Sequence, residues 1–479
     1  MPSGADQLSV CLPLSHLSSS QLSAVLPRYL RIRRASHTHV SPPHPSLSYP
    51  MGLKVLLAAL RTHPELEAAV PVRWMPNFLA LPSYCKVAAA KELLLQHGLF
   101  AMDVASEVPV HALLASLCSG GGETVVGGEV EVGRVQVRAP VRVLDMCCAP
   151  GGKLLSLFDK LGSADVVDGV DVAMHRLETC RAIICRNLDA DSVGAAAGPT
   201  IRLFHCDGRV FGRKGTLDQN SLIFESSGYR DGLGKKGLPS NKSGRVREKR
   251  RLHTVFSRVE QAPDAEVGSY NYVLVDAECT HDGSYRHMKF VELEKERALR
   301  AGLEVSTRGA GGEDMRKPSA AVHYHDSLRQ SGVCELQREL LSTGFRVLQP
   351  GGELVYSTCS LEERQNEDVV RWFLGAEPTA TLVPLDAYVR RSEVEVETAG
   401  TVAGAGAATE LGEESNASKE MMLANSLLVH VCGLIGQAQG QPGSLQGTVR
   451  FDRRCGTSGL FVAKLRKRGA VPKEPLGDE

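Results

Sequence analysis

The sequence predicts a doubly wound α/β domain behind a smaller α/β domain, and three observations carry that reading. From Val141 onward, Val- and Leu-rich runs of strand length alternate with helix-length segments, the pattern of a parallel sheet covered on both faces. The first run passes through Gly151-Gly152 directly into a helix. Three later runs end in aspartate, at Asp171, Asp207 and Asp276, which such a topology gathers at one edge of the sheet.

The elements are read in order. At 479 residues the chain exceeds one ordinary core, so two to three domains are expected. Residues 1–20 read as a tail. Residues 1–50 are Ser-rich with one acid, Asp6, which suits an organelle transit peptide. The arginines, however, sit in LPRYLRIRR, which alternates like a strand and favours folded domain. Residues 21–135 form the first domain, with a helix near Val87–His97 and Pro-punctuated segments around it. Residues 136–470 form the main domain, with strands at VRVLDM, ADVVDGVDV, TIRLFHCD, YNYVLVDA and GELVYSTC. Its helices start near Gly152, Ala173, Glu335 and Glu362. GTVRF and GLFVAKL read as an antiparallel hairpin at the sheet edge. Polar stretches near 209–265, 301–320 and 392–420 read as surface insertions, and 471–479 as a second tail.

Composition excludes several classes. Lysine plus arginine and aspartate plus glutamate each number 55, so the formal net charge is zero and nucleic acid would be met by local patches. One patch is the insertion ending in RVREKRR, which reads as a phosphate-contacting segment, a nuclear signal or a solvated loop. No run approaches the roughly 20 apolar residues of a membrane-spanning helix. The 13 cysteines lack CxxC spacing, which argues for a reducing compartment and against structural zinc; an intracellular setting in nucleus or cytoplasm is expected, with an organelle left open.

The chemistry concentrates at strand ends. Gly151 and Gly152 let a ligand approach the N-terminus of a helix, where unpaired N–H groups collect, although such a pair also serves as a plain tight turn. The pattern is neither GxGxxG nor GxxxxGK[ST], which disfavours dehydrogenases and P-loop enzymes. Asp171, about 20 residues beyond the glycines, suits the two ribose hydroxyls of an adenosine. The combination favours a methyltransferase using S-adenosylmethionine. Cys279 follows the fourth strand and Cys359 ends the fifth, so both thiols are expected to face the crevice. Ser360 with Glu363 has capping-box spacing, which would put Cys359 at the positive end of a helix and lower its pKa. Glu278 would instead raise the pKa of the neighbouring Cys279. Cys180, Cys185 and Cys206 read as inert buried thiols.

DMCCAPGGK, GVDVAMHRL, FHCDGR, VLVDAEC and LQRELLSTGFRVLQPGGELVYSTCSLEERQNEDVV resemble the successive motifs of the RsmB/Nop/Sun family of RNA cytosine-5 methyltransferases. LPRYLRI, GLFAMDVASEVPVHALL and TSGLFVAKL resemble its flanking segments, so the likeness runs from about residue 25 to 466 apart from the insertions. The resemblance implies a Rossmann-like S-adenosylmethionine-dependent domain behind an RNA-binding domain, acting on tRNA or ribosomal RNA. It implies that Cys359 is the nucleophile that adds to C6 of cytosine and that Cys279 assists release, with Lys153 and Asp276 beside them. It assigns Cys147, Cys148, Ala149, Pro150, Gly151, Gly152, Lys153, Asp171, Arg176, Asp207 and Asp276 to the cofactor pocket, with no metal. The sequence departs from the family at Glu278, where proline is usual, and at Thr280-His281-Asp282. There a polar turn is expected, although His281 and Asp282 resemble a metal-ligand pair. The rival readings are a catalytically silent RNA-binding protein of the same fold and an amino-group or small-molecule methyltransferase. The latter characteristically has an Asn/Asp-Pro-Pro-aromatic turn where this chain has DAEC.

Overall fold

The computed structural model describes residues 26–33, 51–72, 74–118, 138–187, 198–218, 220–226, 252, 269–285, 327–389 and 440–469. Both predicted tails, two of the three expected insertions and most of the basic segment lie outside these residues. No helix among the described residues is long and apolar enough to cross a membrane.

The first unit is a four-stranded antiparallel sheet of β1 (Arg28–Ile32), β2 (Val70–Pro71), β3 (Phe78–Leu81) and β4 (Leu99–Ala101), in the order β2-β3-β1-β4. Helices α1 (Met51–Leu60) and α2 (Lys91–Gln96) accompany it; the helix expected from Val87 starts as a single 3-10 turn, Val87–Ala90, before α2. The alternation in RYLRI works on both faces. Leu30 joins Leu60, Leu66, Leu79 and Leu81 in the unit's own core, while Tyr29 belongs to the core of the larger domain. Arg31, 1% exposed, meets Asp159 at 2.7 Å, and Arg33 meets the same carboxylate at 2.9 Å.

The second unit is a ten-stranded sheet. Its strands are β5 (Arg142–Met146), β6 (Val166–Asp171), β7 (Thr200–His205), β8 (Leu222–Glu225), β9 (Tyr270–Asp276), β10 (Leu348–Thr358), β11 (Ala380–Val383), β12 (Gln441–Pro442), β13 (Val449–Phe451) and β14 (Leu460–Lys467). The order is β12-β13-β14-β10-β9-β5-β6-β7-β8, with β11 also on β14. Strands β10, β9, β5, β6 and β7 are parallel; β8 and β14 border them antiparallel. Helices α3 (Val108–Cys118), α4 (Gly152–Lys160) and α5 (Met174–Asn187) cover one face through Leu113, Leu154, Leu157, Leu177 and Ile184. Helices α6 (Ser327–Val347) and α7 (Glu367–Ala376) cover the other through Leu340, Leu341, Phe345, Val369 and Phe373. The five parallel strands and the β13-β14 hairpin fall where the sequence predicts them.

Three elements differ. Strand β8 lies inside the stretch expected to be an insertion, because Leu222 packs with Phe204 and Phe211 at the sheet edge. Helix α6 begins at Ser327, ahead of Glu335, and α7 begins at Glu367, after the expected Glu362.

One ion network binds the middle of the sheet. Asp168 in β6 receives a bidentate pair of bonds from Arg202 in β7, at 2.6 and 2.7 Å, and one from the Tyr270 hydroxyl in β9 at 2.8 Å. Arg142 in β5 stands 3.5 Å away. Burial works to raise the Asp168 pKa, but Arg202, Arg142 and Tyr270 outweigh it and hold the carboxyl below its ordinary range.

Candidate active site

Strand β5 lies where the strand order reverses, between β6 and β9, so the crevice opens at its C-terminal end. The chain leaves β5 through Cys147, at φ +62°, and reaches α4 through Gly151, at φ +106°. A Cβ on Gly151 would also stand 2.8 Å from the Cys180 sulfur, so both the backbone and the packing require glycine there. Gly152 has more room: a Cβ would meet only Phe100 and Met102, at 3.7 and 4.0 Å. Those two residues bring the first unit to the mouth of the loop. No side chain caps α4, so its first N–H groups are left for a ligand.

The sequence-predicted cofactor residues separate into groups. Asp171 accepts from the Ala149 and Ala173 N–H groups, at 3.2 and 2.9 Å, and fixes the loop against β6. Arg176 donates to the Ala149 carbonyl at 2.6 Å and stands 3.9 Å from Asp171, so it clamps the same loop. Pro150 is exposed on the loop. The Cys148 side chain turns into the core against Gly169, where a Cβ would come within 2.9 Å of its sulfur; only its backbone serves the loop. Burial, with Asp171 and Asp276 nearby, pushes the Cys147 thiol far up, so it remains protonated. Asp207 ends β7 as expected, but its carboxylate is held by Arg209 at 2.7 Å and makes no bond to the loop.

Beneath the loop lies Asp145, fully buried, with no hydrogen-bond partner on either oxygen. Burial, then Asp276 and Asp171, raise its pKa well above the ordinary range, against the pull of Lys153. Lys153 reaches across from α4 to Asp276 at 2.7 Å, and Ser357 donates to the other Asp276 oxygen at 2.7 Å. Burial pulls the Lys153 pKa down, yet Asp276 and Asp145 together keep the ammonium charged.

The two thiols meet. Cys279 Sγ lies 3.2 Å from Cys359 Sγ, and His281 Nδ1 lies 2.9 Å from Cys359 Sγ and 3.7 Å from Cys279 Sγ. The hydrogen bond from Cys359, then His281, draws Cys279 down to about 6 against burial. Cys359 is held up by its bond to Cys279 and by burial. His281 is raised by Cys279 despite its own burial. Of the two thiols, Cys279 is therefore the one poised toward thiolate, with the protonated form of His281 favoured beside it.

Two expectations fail here. Ser360 and Glu363 form no capping box: the Ser360 hydroxyl accepts from the Glu362 N–H, and Glu363 turns to Arg371 and Ser444. Only a 3-10 turn, Glu363–Gln365, follows Cys359, so no helix terminus stabilises a thiolate there. Glu278 does not lift Cys279 either. It is exposed, its carbonyl is held by Gln337 at 2.8 Å, and its charge helps to raise His281 instead.

Several supporting residues escaped the sequence reading. Gln365 accepts from the Thr280 N–H at 3.0 Å and donates to its hydroxyl at 2.9 Å, which ties the two cysteine loops together. Asn366 donates to the Ser360 carbonyl at 2.9 Å and accepts from Thr358 at 2.5 Å. Both lie in RQNEDVV, a run whose buried polar pair between charged residues was the available signal. Asp282 takes bonds from Thr280 and from the Leu361 N–H, so it is turned away from His281. The Gly283 N–H donates to the Cys359 carbonyl at 3.0 Å, and the Gly459 N–H donates to the Gly283 carbonyl at 2.7 Å. A Cβ on Gly283 would stand 2.5 Å from that Cys359 oxygen, so three backbones meet with no space between them.

The strand order, the glycine turn into an uncapped helix and the carboxylate on the next strand define the class: a doubly wound, Rossmann-like domain with a nucleotide-type crevice at the C-terminal end of β5. Residues 315–405 match the family model described as 16S rRNA methyltransferase RsmB/F. The chain is similar to the ribosomal RNA small subunit methyltransferase F of Klebsiella pneumoniae, at 24% identity over 247 residues, 51% of this chain and 33% of that protein. A shorter match, 39% over 69 residues and 14% of each chain, is to the protein of the same name from Cronobacter sakazakii. The longer match thus spans about a third of its curated relative. A solved methyltransferase homolog from Pyrococcus horikoshii aligns at 19% identity over 93% of this chain and 88% of that one, with a TM-score of 0.43. With the motif run through Cys359, the chain is thus similar to RsmB/F-type methyltransferases over these segments.

Proposed function

We propose that the protein is an S-adenosylmethionine-dependent RNA cytosine-5 methyltransferase that works through a covalent adduct. The observation that carries the reading is the 3.2 Å contact between Cys279 and Cys359 beside the Lys153-Asp276 pair. A methyltransferase acting on an amine or a hydroxyl has no use for paired thiols, whereas C5 of cytosine is a poor nucleophile until a thiolate adds to C6.

In this reading the loop 147–153 and Asp171 hold the cofactor, with the Asp171 carboxylate as ribose acceptor. A flipped or unpaired cytosine enters between the loop and the thiols. Cys359 attacks C6 and passes its proton to Cys279, which is within hydrogen-bond reach. S-adenosylmethionine, held by the loop 147–153, would supply the methyl group for C5 of the enamine so formed. Cys279, which returns its proton to solvent through His281, then removes the C5 proton, and the Cys359–C6 bond breaks to release 5-methylcytosine. The Lys153-Asp276 ion pair flanks the base and orients its polar edge. The first unit, whose Phe100 and Met102 approach the loop, contributes the RNA contact. The names of the relatives favour ribosomal RNA over tRNA as substrate, and the nucleus or cytoplasm is the proposed compartment.

The test is a denaturing gel of protein incubated with RNA and cofactor. Cys359→Ala should show no covalent band and lose activity by about four orders of magnitude or more. Cys279→Ala should accumulate an SDS-resistant band that the double variant lacks. A band from Cys359→Ala alone would reverse the roles, and activity in every variant without any band would sink the covalent route. Bisulfite sequencing of RNA from cells with and without the protein identifies the cytosine; an unchanged pattern would favour the catalytically silent reading.

A further inference from the structure

Three soft donors converge beside the crevice in a geometry that suits more than proton transfer. Among the described residues, Cys279 Sγ, Cys359 Sγ and His281 Nδ1 are the one group of three metal-type ligands found together, all within 4.8 Å of one another. Addition and release form bonds at the two thiols, with His281 needed only as a proton path. The third donor comes from Thr280-His281-Asp282, where the sequence departs from its family.

We propose that Cys279, His281 and Cys359 form a binding site for a soft divalent cation of the zinc type, which holds the nucleophile out of reaction while it is bound. The inference rests on the proposed covalent mechanism for its consequence, though not for the binding itself.

The spacing supports it. Zinc bonds of about 2.3 Å to sulfur and about 2.0–2.1 Å to nitrogen make tetrahedral edges of about 3.6–3.8 Å. The three observed edges are 3.2, 2.9 and 3.7 Å, so the last already fits and Cys359 needs to move away from the other two donors by roughly 0.6–0.7 Å. The frame is already built. Cys279 and Cys359 follow adjacent parallel strands, β9 and β10. His281 is held at φ +58°, in the sparsely populated left-handed region, by a turn that Asp282 pins to Leu361 and Thr280. Asp282 is thereby excluded as a fourth ligand, so three protein donors leave one position for water or substrate, as in catalytic rather than structural zinc sites. Two thiolates and an imidazole select zinc or softer ions over magnesium or calcium, which prefer oxygen. The sequence reading paired His281 with Asp282; the partners on this geometry are the two cysteines.

The experiment uses the purified full chain without RNA or cofactor. Zinc is titrated against a chromophoric chelator, and cobalt is added separately to read a sulfur-to-metal charge-transfer band. One equivalent of zinc should be taken from the chelator, and cobalt should give the band. His281→Gln, Cys279→Ser and Cys359→Ser should each weaken zinc binding by at least about a hundredfold, because even outer-shell partners are worth about 10- to 100-fold. Cys206→Ser and Cys334→Ser, at half-buried thiols elsewhere, should change nothing. No zinc uptake, or uptake unchanged in His281→Gln with its thermal midpoint preserved, overturns the inference. The absence of the cobalt band from the unaltered chain overturns it without any variant. A chain that binds zinc here but forms no RNA adduct sinks the proposed function alone; an active chain that binds none sinks this inference alone.

Discussion

Asp168 and Asp145 sit on neighbouring strands of one sheet, both fully buried, and they are held in opposite ways. Asp168 is clasped by Arg202, Arg142 and Tyr270, so it stays ionised and joins β5, β6, β7 and β9. Asp145 faces the other layer, with no partner on either oxygen and with Asp276 and Asp171 close by, so its pKa is pushed well up. Burial is nearly equal in the two places. What differs is the company, which teaches that the cost of a buried carboxylate is set by whether its charge is answered. In the sheet interior the charges are closed among themselves. Under the crevice an excess of acid is left, which is where a cationic cofactor sulfonium or a polar base would be received.

The largest effect expected from breaking the comparison is on the closed side. Asp168→Ala strips the partner from buried Arg202 and should cost about 3–5 kcal/mol of stability, read by denaturant unfolding. A loss under about 1 kcal/mol would mean that the network holds nothing. Asp171→Ala tests the open side: cofactor affinity should fall by about 1.5–3 kcal/mol in calorimetry, the range for a hydrogen bond to a charged group. Unchanged affinity would remove Asp171 from the pocket.

The two carboxylates should also part company with pH. Asp168 has a depressed folded pKa, so its stabilisation is complete above the unfolded carboxylate pKa and is lost as pH falls through the folded value. Asp145 has a raised one, so its contribution is complete below the unfolded pKa and declines as pH rises toward the folded value. Asp145→Asn should therefore gain stability relative to the unaltered chain as pH rises above about 4, by up to about 1.4 kcal/mol per pH unit. Parallel stability curves would show that Asp145 is ionised after all. The smallest effect is at Glu278, whose side chain lies in solvent: Glu278→Ala should move stability by no more than about 0.5 kcal/mol. A larger shift would mean that the charge is felt at the thiols as the sequence suggests.

How far the sequence went follows from the range of each signal. Strands β5, β6, β7, β9 and β10 were legible because burial on both faces leaves long runs of Val and Leu, and the glycine turn because a left-handed bend at Gly151 admits little else. Strand β8 was hidden by its polar surroundings, since an edge strand of four residues has too little period to stand out. The cysteines were found by their positions after strands, but their charges were not. The capping spacing of Ser360 and Glu363 is a local statement, and the pull of Arg371 and Ser444 on Glu363 is not. In the same way, Asp207 reads as a third strand-end acid, although only the fold reveals that Arg209 has engaged it.

The contact of Gly283 with Cys359 and Gly459 has a consequence in time. The loop that carries Cys279 and His281 is fixed on one side by the strand it follows and on the other by a backbone bond to the turn that opens β14. Chains are made from the N-terminus, and domains take shape as units once their last element is available. Cys279, His281 and Cys359 thus acquire their arrangement only once the turn before β14 has been made, together with the rest of the sheet. A nascent chain stalled before Gly459 would hold all three donors in its sequence but lack the backbone bond that fixes the loop carrying two of them.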